Sequence, residues 1–424
     1  MPMPMTIAEK ILARASGVEK VVPGDVAVVR VETSVLMDMT FLPEGWREVL
    51  HVHDPGKIAI VFDHLVPAPT VQAATAHTTG RAFAAKFGIE RLHDVGPDQG
   101  IAHAVVADRG YAIPGTVLVN GDSHTCAAGA FNCAARGVGG PDMLMAITTG
   151  EAWFQVGETV RYDFAGKLRP GVSAKDIFLH IAGTYGAHVN QNVEYGGGGM
   201  RSLSMNGRRT LATMGTELSA EFVIFEPDDL LADYMKSANP TAATYPTLPD
   251  PDAAYAARRT IDLGTLEPLV ALPDAVVDNS VPISSVEGQR IDQAFVGSCA
   301  NGTLDDMAVV AQVLAGRKVA RGTRFIVTPG TQAIYRAALK AGYVETMMEA
   351  GAVVTPATCG ACVGGHLGAL GPDEVCITAS TRNFKGRMGD PSARIFMGSP
   401  ATVAASAIAG KIVHPGEYFS GDVA

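Results

Sequence analysis

Along the last third of the chain, short and largely apolar runs at 293–297, 324–328, 352–355, 375–379 and 394–397 alternate with stretches at 304–314, 332–341 and 401–409. In the stretches, apolar residues recur every three to four positions, as on a helix with one buried side. The runs read as short strands. Strand, helix and strand in succession predict a parallel sheet wound with helices. The first third follows the same pattern, and its strand-like runs at 57–62 and 116–120 lead directly into Asp63 and Asp122.

In open α/β sheets, ligands sit beyond the carboxyl ends of the strands. Five segments with reactive side chains begin there: Asp63-His64, Gly121-Asp122-Ser123-His124, Cys299, Cys359 with Cys362, and Arg382 with Arg387. One shared site is the economical expectation. From about Gly157 to about Asp274 the pattern is less regular, with Y-G-G-G-G-M and the polar, proline-bearing stretch 237–252. A middle domain belongs there, which gives an expected division into 1–157, 158–275 and 276–424 with a linker near 272–286. A length of 424 residues agrees with this, since it exceeds the usual reach of one hydrophobic core.

No unbroken apolar run approaches the span of a bilayer, so the 47% hydrophobic content is core-forming material of a soluble protein. At the start, Thr6 and Glu9 are spaced as a capping box, not as the basic and apolar regions of a secretory signal. The expected location is the cytoplasm. A net charge of −10, without a Lys/Arg cluster or interleaved aromatics, argues against nucleic-acid and membrane-surface partners. A small anion can still be captured by a few local arginines.

Six cysteines are too few for a disulfide framework. Three of them, Cys299 in V-G-S-C-A-N-G and Cys359 and Cys362 in A-T-C-G-A-C-V-G-G-H, each sit where a strand-like run gives way to a glycine-rich turn. A structural zinc site usually closes four ligands, whereas a cubane held by three thiolates leaves one iron open, which points to Lewis-acid chemistry. Three unrelated buried thiols, or zinc, are the alternatives. A thioredoxin-like dithiol fits less well, because Gly360-Ala361 between the cysteines and Gly364-Gly365 after them suit a loop wrapped round a cluster. Cys126 and Cys133, seven apart, are expected on one face of a helix as core residues, and Cys376 in the strand V-C-I-T.

G-D-S-H-T-C opens a predicted helix, so backbone amides and an Asp122–His124 couple would face a ligand; the same spelling also suits a plain N-cap. Asp63-His64 suits proton transfer near neutral pH, or a turn with a packed histidine. His103, in apolar G-I-A-H-A-V-V, reads as a core histidine. Arg382 and Arg387 match a dicarboxylate by two-point guanidinium bonding, with surface solvation as the other reading. Glu194, before Tyr195 and four glycines, is an acid/base candidate or a turn boundary.

Taken in order, V-F-D-H-L, G-D-S-H-T, V-E-Y-G, G-S-C-A-N-G, C-G-A-C with G-G-H-L-G, and R-N-F-K-G-R-M-G resemble the motifs of the aconitase superfamily. The opening M-T-I-A-E-K-I-L-A and the ending S-P-A-T-V-A-A-S-A-I-A-G-K-I are similar to those of its 3-isopropylmalate dehydratase large subunits. The resemblance implies three α/β domains with mainly parallel sheets around a central iron–sulfur cluster, the aconitase domains 1–3 without the swivel domain.

By the same resemblance, Cys299, Cys359 and Cys362 hold one 4Fe–4S cluster per subunit, whose open iron binds the substrate hydroxyl and a carboxylate. Asp63-His64 protonates the departing hydroxyl. His103 with Asp122, and His124 with Glu194, position the water or hydroxyl, while Ser123, Arg382 and Arg387 bind substrate. The serine base that takes the proton α to a carboxylate is expected on a separate small, swivel-domain subunit.

Departures include Thr381 where relatives have Asn, and C-G-A-C where many have proline before the second cysteine. Neither removes a ligand. The implied activity is a hydro-lyase isomerising a 2-hydroxy-dicarboxylate, with 2-isopropylmalate to 3-isopropylmalate in leucine biosynthesis leading and homoaconitate, 2,3-dimethylmalate, methylcitrate-type and maleate substrates as alternatives. RNA binding after cluster loss is disfavoured by the net charge.

Overall fold

The computed structural model describes residues 4–419. Helix Ile7–Ser16 opens with the capping box read from T-x-x-E: Glu9 N donates to Thr6 Oγ1 at 3.4 Å and Thr6 N to Glu9 Oε2 at 2.7 Å.

Three parallel-rich sheets take their strands from successive parts of the chain. Arg91–His93, Ile58–Val61, Thr33–Met37, Val117–Asn120 and Ala134–Gly137 form, in that order, a five-stranded parallel sheet. Its three central strands are buried at every position, which is why their spelling shows no alternation. The second sheet, also parallel, orders Val223–Phe225, Gln191–Gly196, Glu158–Ala165 and Ala257–Asp262. The third has seven strands in the order Ser280–Pro282, Leu269–Ala271, Arg394–Met397, Val375–Thr378, Gln293–Val296, Arg324–Val327 and Val353–Val354. Leu269–Ala271 alone runs opposite to the other six strands of that sheet.

In the five- and seven-stranded sheets a parallel strand sits centrally and later strands are added first on one side, then on the other. Thr33–Met37 lies between Ile58–Val61 and Val117–Asn120, and Gln293–Val296 between Arg324–Val327 and Val375–Thr378. Such reversals open a crevice at the carboxyl ends of the strands. One apolar core runs from the first sheet into the second, joining Val35 and Leu118 to Tyr162, Phe164 and Phe225; another lies beneath the third, with helices Leu304–Leu314 and Pro400–Ala409. Burying each such large side chain contributes roughly 1.5–3 kcal/mol. Among the described residues no helix is long and apolar enough to cross a membrane.

One expectation is corrected here. Cys126 lies in the tightly wound segment Ser123–Phe131, which Asn132 ends with a left-handed φ of 57° before Cys133 is reached. The two cysteines therefore share no helix face. Both are buried, and Cys133 Sγ sits 3.3 Å from the Thr116 carbonyl.

Candidate active site

Strand Ile58–Val61 delivers Asp63 and His64 to the crevice. Asp63 Oδ1 lies 2.6 Å from His64 Nδ1, and Asp63 Oδ2 accepts from Ala102 N at 2.8 Å, so the carboxylate is fixed on both sides. Asp38, fully buried, accepts from the amides of His64 and Leu65 at 3.3 and 2.7 Å. The other imidazole nitrogen, Nε2, faces Asp122 Oδ2 at 3.5 Å. Burial by itself would lower the His64 pKa, but Asp63, the Cys359 sulfur and Asp122 raise it well above the ordinary value.

Asp122 follows strand Val117–Asn120 and joins three histidines. Its Oδ1 lies 2.8 Å from His103 Nε2 and accepts from His124 N at 2.7 Å. Burial would raise this carboxyl, yet His103, His124 and His64 together hold it well below the carboxylate range. From His124 the connection continues: Nε2 is 3.0 Å from Glu217 Oε1, the same oxygen accepts from Arg382 Nε at 2.7 Å, and Arg382 Nη2 donates to Ser123 Oγ at 2.9 Å.

The cysteines arrive from the third sheet. After strand Gln293–Val296 the chain passes through Ser298, a non-glycine residue at φ 72°, to turn Cys299 inward. A conformation of that kind costs on the order of 1 kcal/mol and persists where surrounding structure imposes it. Cys359 N and Thr358 Oγ1 both donate to the Asp63 carbonyl, at 3.0 and 2.8 Å, pinning the second cysteine loop onto the Asp63-His64 turn. His366 Nε2 lies 2.9 Å from the His64 carbonyl and adds a further tie. Gly364, at φ 68°, packs so closely on the Arg387 backbone that a Cβ there would lie 2.8 Å from its carbonyl. Cys362 Sγ has Thr381 Oγ1 at 3.8 Å and Arg387 Nη2 at 3.9 Å.

All three thiols are buried, with different consequences. Burial and the neighbouring sulfurs push Cys299 well up, and burial takes Cys359 up to about 12. Cys362 is lowered despite its burial, because Arg387, His124 and Thr381 favour the thiolate.

The donor set discriminates between metals. Zinc binds thiolates at about 2.3 Å, so sulfurs on one ion are no more than about 4.6 Å apart. The three cysteine sulfurs do not all lie within 4.8 Å of one another; among the described residues the trio that does is Asp63, His64 and Cys359, where both Asp63 oxygens are already engaged. Close by, Arg387 Nε, Asn301 Oδ1 and Ser380 Oγ are buried without partners. Three cysteines spaced beyond the reach of one ion, one of them beside the guanidinium of Arg387, fit a multinuclear iron–sulfur group better than a single ion.

A cavity of about 690 Å³ opens on this cluster, with His64, Asp122, Ser123, Arg382 and Arg387 on its polar side and Leu36, Met37, Trp46, Met143 and Ile147 among its apolar lining. A hollow of about 560 Å³ beside Arg136 and Trp153 gathers no comparable chemistry.

The structure thus brings Asp63, His64, His103, Asp122, Ser123, His124, Cys299, Cys359, Cys362, Arg382 and Arg387 together. Glu194 is elsewhere. It is fully buried in strand Gln191–Gly196, where Oε1 accepts from Ile7 N at 2.6 Å and Ala8 N at 3.3 Å and Oε2 accepts from Tyr255 Oη at 3.0 Å. The expected pairing of His124 with Glu194 is therefore corrected: Glu217, just beyond helix Met205–Met214, is the carboxylate at His124. Sequence reading also passed over Asp38, His366 and the fully buried Lys175. Their local signals are slight, although His366 stands within G-G-H-L-G.

Comparison with known proteins finds relatives along nearly the whole chain. Residues 50–410 match the model of the aconitase family (aconitate hydratase). The chain is 52% identical to the 3-isopropylmalate dehydratase large subunit of Mycolicibacterium smegmatis over 97% of this chain and 96% of that one. It is 42% identical to the 3-isopropylmalate dehydratase large subunit 1 of Methanopyrus kandleri over 98% of this chain and all of that one. The probable methanogen homoaconitase large subunit of Methanothermobacter thermautotrophicus is 40% identical over 97% of both chains. With its mixed α/β build, mainly parallel sheets and end-to-end similarity to these relatives, the chain belongs to the aconitase family.

Proposed function

We propose that this chain is the large subunit of a two-subunit cytoplasmic hydro-lyase that isomerises 2-isopropylmalate to 3-isopropylmalate, a step of leucine biosynthesis, by dehydration and rehydration. The observation that carries the reading is that three buried, spread cysteines and the Asp63-His64, Asp122-His103 and His124-Glu217 couples are tied into one network, which reaches a cavity through His64, Asp122, Ser123, Arg382 and Arg387. Identity of 52% with a 3-isopropylmalate dehydratase large subunit supports the choice of substrate.

Cys299, Cys359 and Cys362 would hold a 4Fe–4S cluster. When bound, it supplies an iron free of protein thiolate, a Lewis acid for the substrate hydroxyl. His64, oriented by Asp63, hands a proton to the departing hydroxyl. Asp122 aligns His103, and Glu217 aligns His124, so that the two imidazoles orient water at the reacting carbon. Arg382 is spent on Glu217 and Ser123, which leaves Arg387, with its unpartnered Nε, as the freer partner for a substrate carboxylate. The apolar side of the cavity suits a branched alkyl substituent. A serine on the small subunit would remove the proton α to the carboxylate.

The test is co-purification with the small subunit, anaerobic cluster reconstitution, and assay on 3-isopropylmalate, homoaconitate, citraconate and maleate. Homoaconitate is the telling competitor, because Arg47 lines the same cavity and offers a further carboxylate a partner. The expected result is kcat/KM for 3-isopropylmalate at least about tenfold above the others, with little turnover by the large chain alone. A fully loaded complex inactive on all four would overturn the proposal.

A further inference from the structure

Lys175 is fully buried, and its burial and its place on a helix disfavour a cation there. It stands in the first turn of helix Ala174–Tyr185, behind the capping residue Ser173, at the positive end of the helix dipole. Its Nζ donates to the Ser380 carbonyl at 2.9 Å and approaches Met214 Sδ at 3.3 Å, both uncharged. The nearest carboxylates are committed to other groups. Asp176 accepts from Ser173 and from Leu269 N, Asp306 from Thr303 and Asn301, and Glu217 from His124 and Arg382. A buried ammonium without an anion in contact is costly, so a chain that keeps one has negative charge near it in its working state.

That charge has an evident source. Cys299 and Cys362 are among the groups whose fields act most strongly on Lys175. Ser380, which holds the ammonium, directly precedes Thr381, whose hydroxyl touches Cys362 Sγ. Met214 ends the helix that leads to Glu217. Lys175 does not line the cavity that contains Arg382 and Arg387, so it stands apart from a substrate held there. Burial brings its pKa down to about 8, with the sulfurs and carboxylates holding it from falling further.

We infer that Lys175 is the buried counter-charge of the iron–sulfur group, a positioning residue that holds the cluster in the chain and sets its reduction potential without touching substrate. The inference rests on the cluster assignment made above. A positive charge at this place favours the more negative, reduced cluster, so removing it lowers the potential. Its removal also leaves the three thiolates with less positive charge around them, which favours their protonation and release of iron.

The experiment uses the full chain, reconstituted anaerobically with iron and sulfide, as wild type, Lys175→Gln, Lys175→Met and Lys175→Arg. Glutamine keeps a donor for the Ser380 carbonyl, methionine keeps the shape, and arginine keeps the charge. Three readouts are followed: iron and sulfide per chain during incubation with a chelator, the midpoint potential from a dithionite titration monitored by electron paramagnetic resonance, and the melting temperature of the cluster-free chain. Gln and Met are expected to lose the cluster several-fold faster and to titrate at lower potential, with Arg close to wild type. The cluster-free Met variant should melt no lower than the wild type, because it has shed an unpaired buried charge. Unchanged potential and loss rate in Gln and Met would overturn the inference, and a lowered melting temperature alone would make Lys175 a stitch to Ser380. If wild type takes up no cluster, the cluster assignment itself fails.

Discussion

His124 Nε2 lies 3.0 Å from Glu217 Oε1, the oxygen that also accepts from Arg382 Nε. One carboxylate from the middle of the chain thus orients an imidazole of the first sheet and a guanidinium of the third. Burial would raise the Glu217 pKa, but His124 and Arg382 hold it below the ordinary value, so the group stays ionised and keeps both partners aligned. Glu217→Gln is expected to lower kcat by about 10²–10³ while leaving the melting temperature within a few degrees, since the isostere still accepts one bond. Steady-state kinetics of the reconstituted complex checks it, and a loss of less than tenfold would deny Glu217 that role.

Glu194 should behave in the opposite way, as a residue of stability. Burial raises its pKa to about 7, against the lowering pull of Tyr255, the Ala8 and Ile7 amides and Arg161. In the unfolded chain the carboxyl loses its proton near its ordinary value, so between roughly pH 4.5 and 7 the folded state binds the extra proton. Its contribution is therefore fully present below that range and is lost as pH rises through 7. Glu194→Gln, which mimics the protonated form, should match wild type in unfolding free energy near pH 4.5 and exceed it by roughly 3 kcal/mol near pH 8. Its kcat should stay within a few-fold of wild type. A stability difference independent of pH would contradict the burial argument.

The contrast between these two glutamates shows where sequence reading succeeds. Strands such as 375–379 and 394–397 are legible because burial on both faces gives a short unbroken apolar run, and helix 304–314 because burial on one face imposes a period. Residues at the carboxyl ends of those strands, from Asp63 to Arg387, inherit that legibility. Glu217 does not, because it lies in a short turn after Gly215, and its partners are 93 and 165 residues away in the chain. Nothing local marks it. Glu194 was drawn toward the site by V-E-Y-G, a motif whose buried face instead caps the amino end of the first helix. The paired strands Val26–Arg30 and Glu151–Gln155 are equally invisible, since their antiparallel register joins segments more than a hundred residues apart.

Asp63 offers a test of orientation apart from charge. Its Oδ1 accepts from His64 Nδ1 and its Oδ2 from Ala102 N, so an amide can satisfy only one of these. Asp63→Asn would keep the Ala102 contact and present its NH2 to His64, reversing the tautomer. The expected loss is about 10²–10⁴ in kcat with KM little changed, because the side chain contacts the histidine and not the substrate. A variant that lost KM alone would place Asp63 in binding.

For the cysteines, the six thiols provide their own controls. Cys299→Ser, Cys359→Ser and Cys362→Ser should each reduce iron and sulfide after reconstitution to a small fraction of wild type, with the visible absorbance lost in parallel. Cys126→Ser and Cys376→Ser should retain both, since each sits in the core with only backbone or hydroxyl neighbours at its sulfur. Full cluster content in any of the first three would remove that residue from the ligand set.

Gly129 tests how the site is supported. It lies in Ser123–Phe131, the segment that carries His124, and an added Cβ would collide with the backbone carbonyl of Val223 in the second sheet. A backbone atom in a buried strand cannot step aside as a side-chain tip can. Gly129→Ala therefore has to push the segment off the sheet, at a cost of about 3 kcal/mol or more, a large part of the stability of an ordinary domain. His124 would move with it, away from Glu217, which belongs to another segment. The variant is expected to melt several degrees lower and to lose kcat together with stability, whereas Gly198→Ala, where nothing lies within 4 Å of the added carbon, should do neither. Equal melting temperatures for the two variants would show that the contact between Ser123–Phe131 and the second sheet does not hold the site in place.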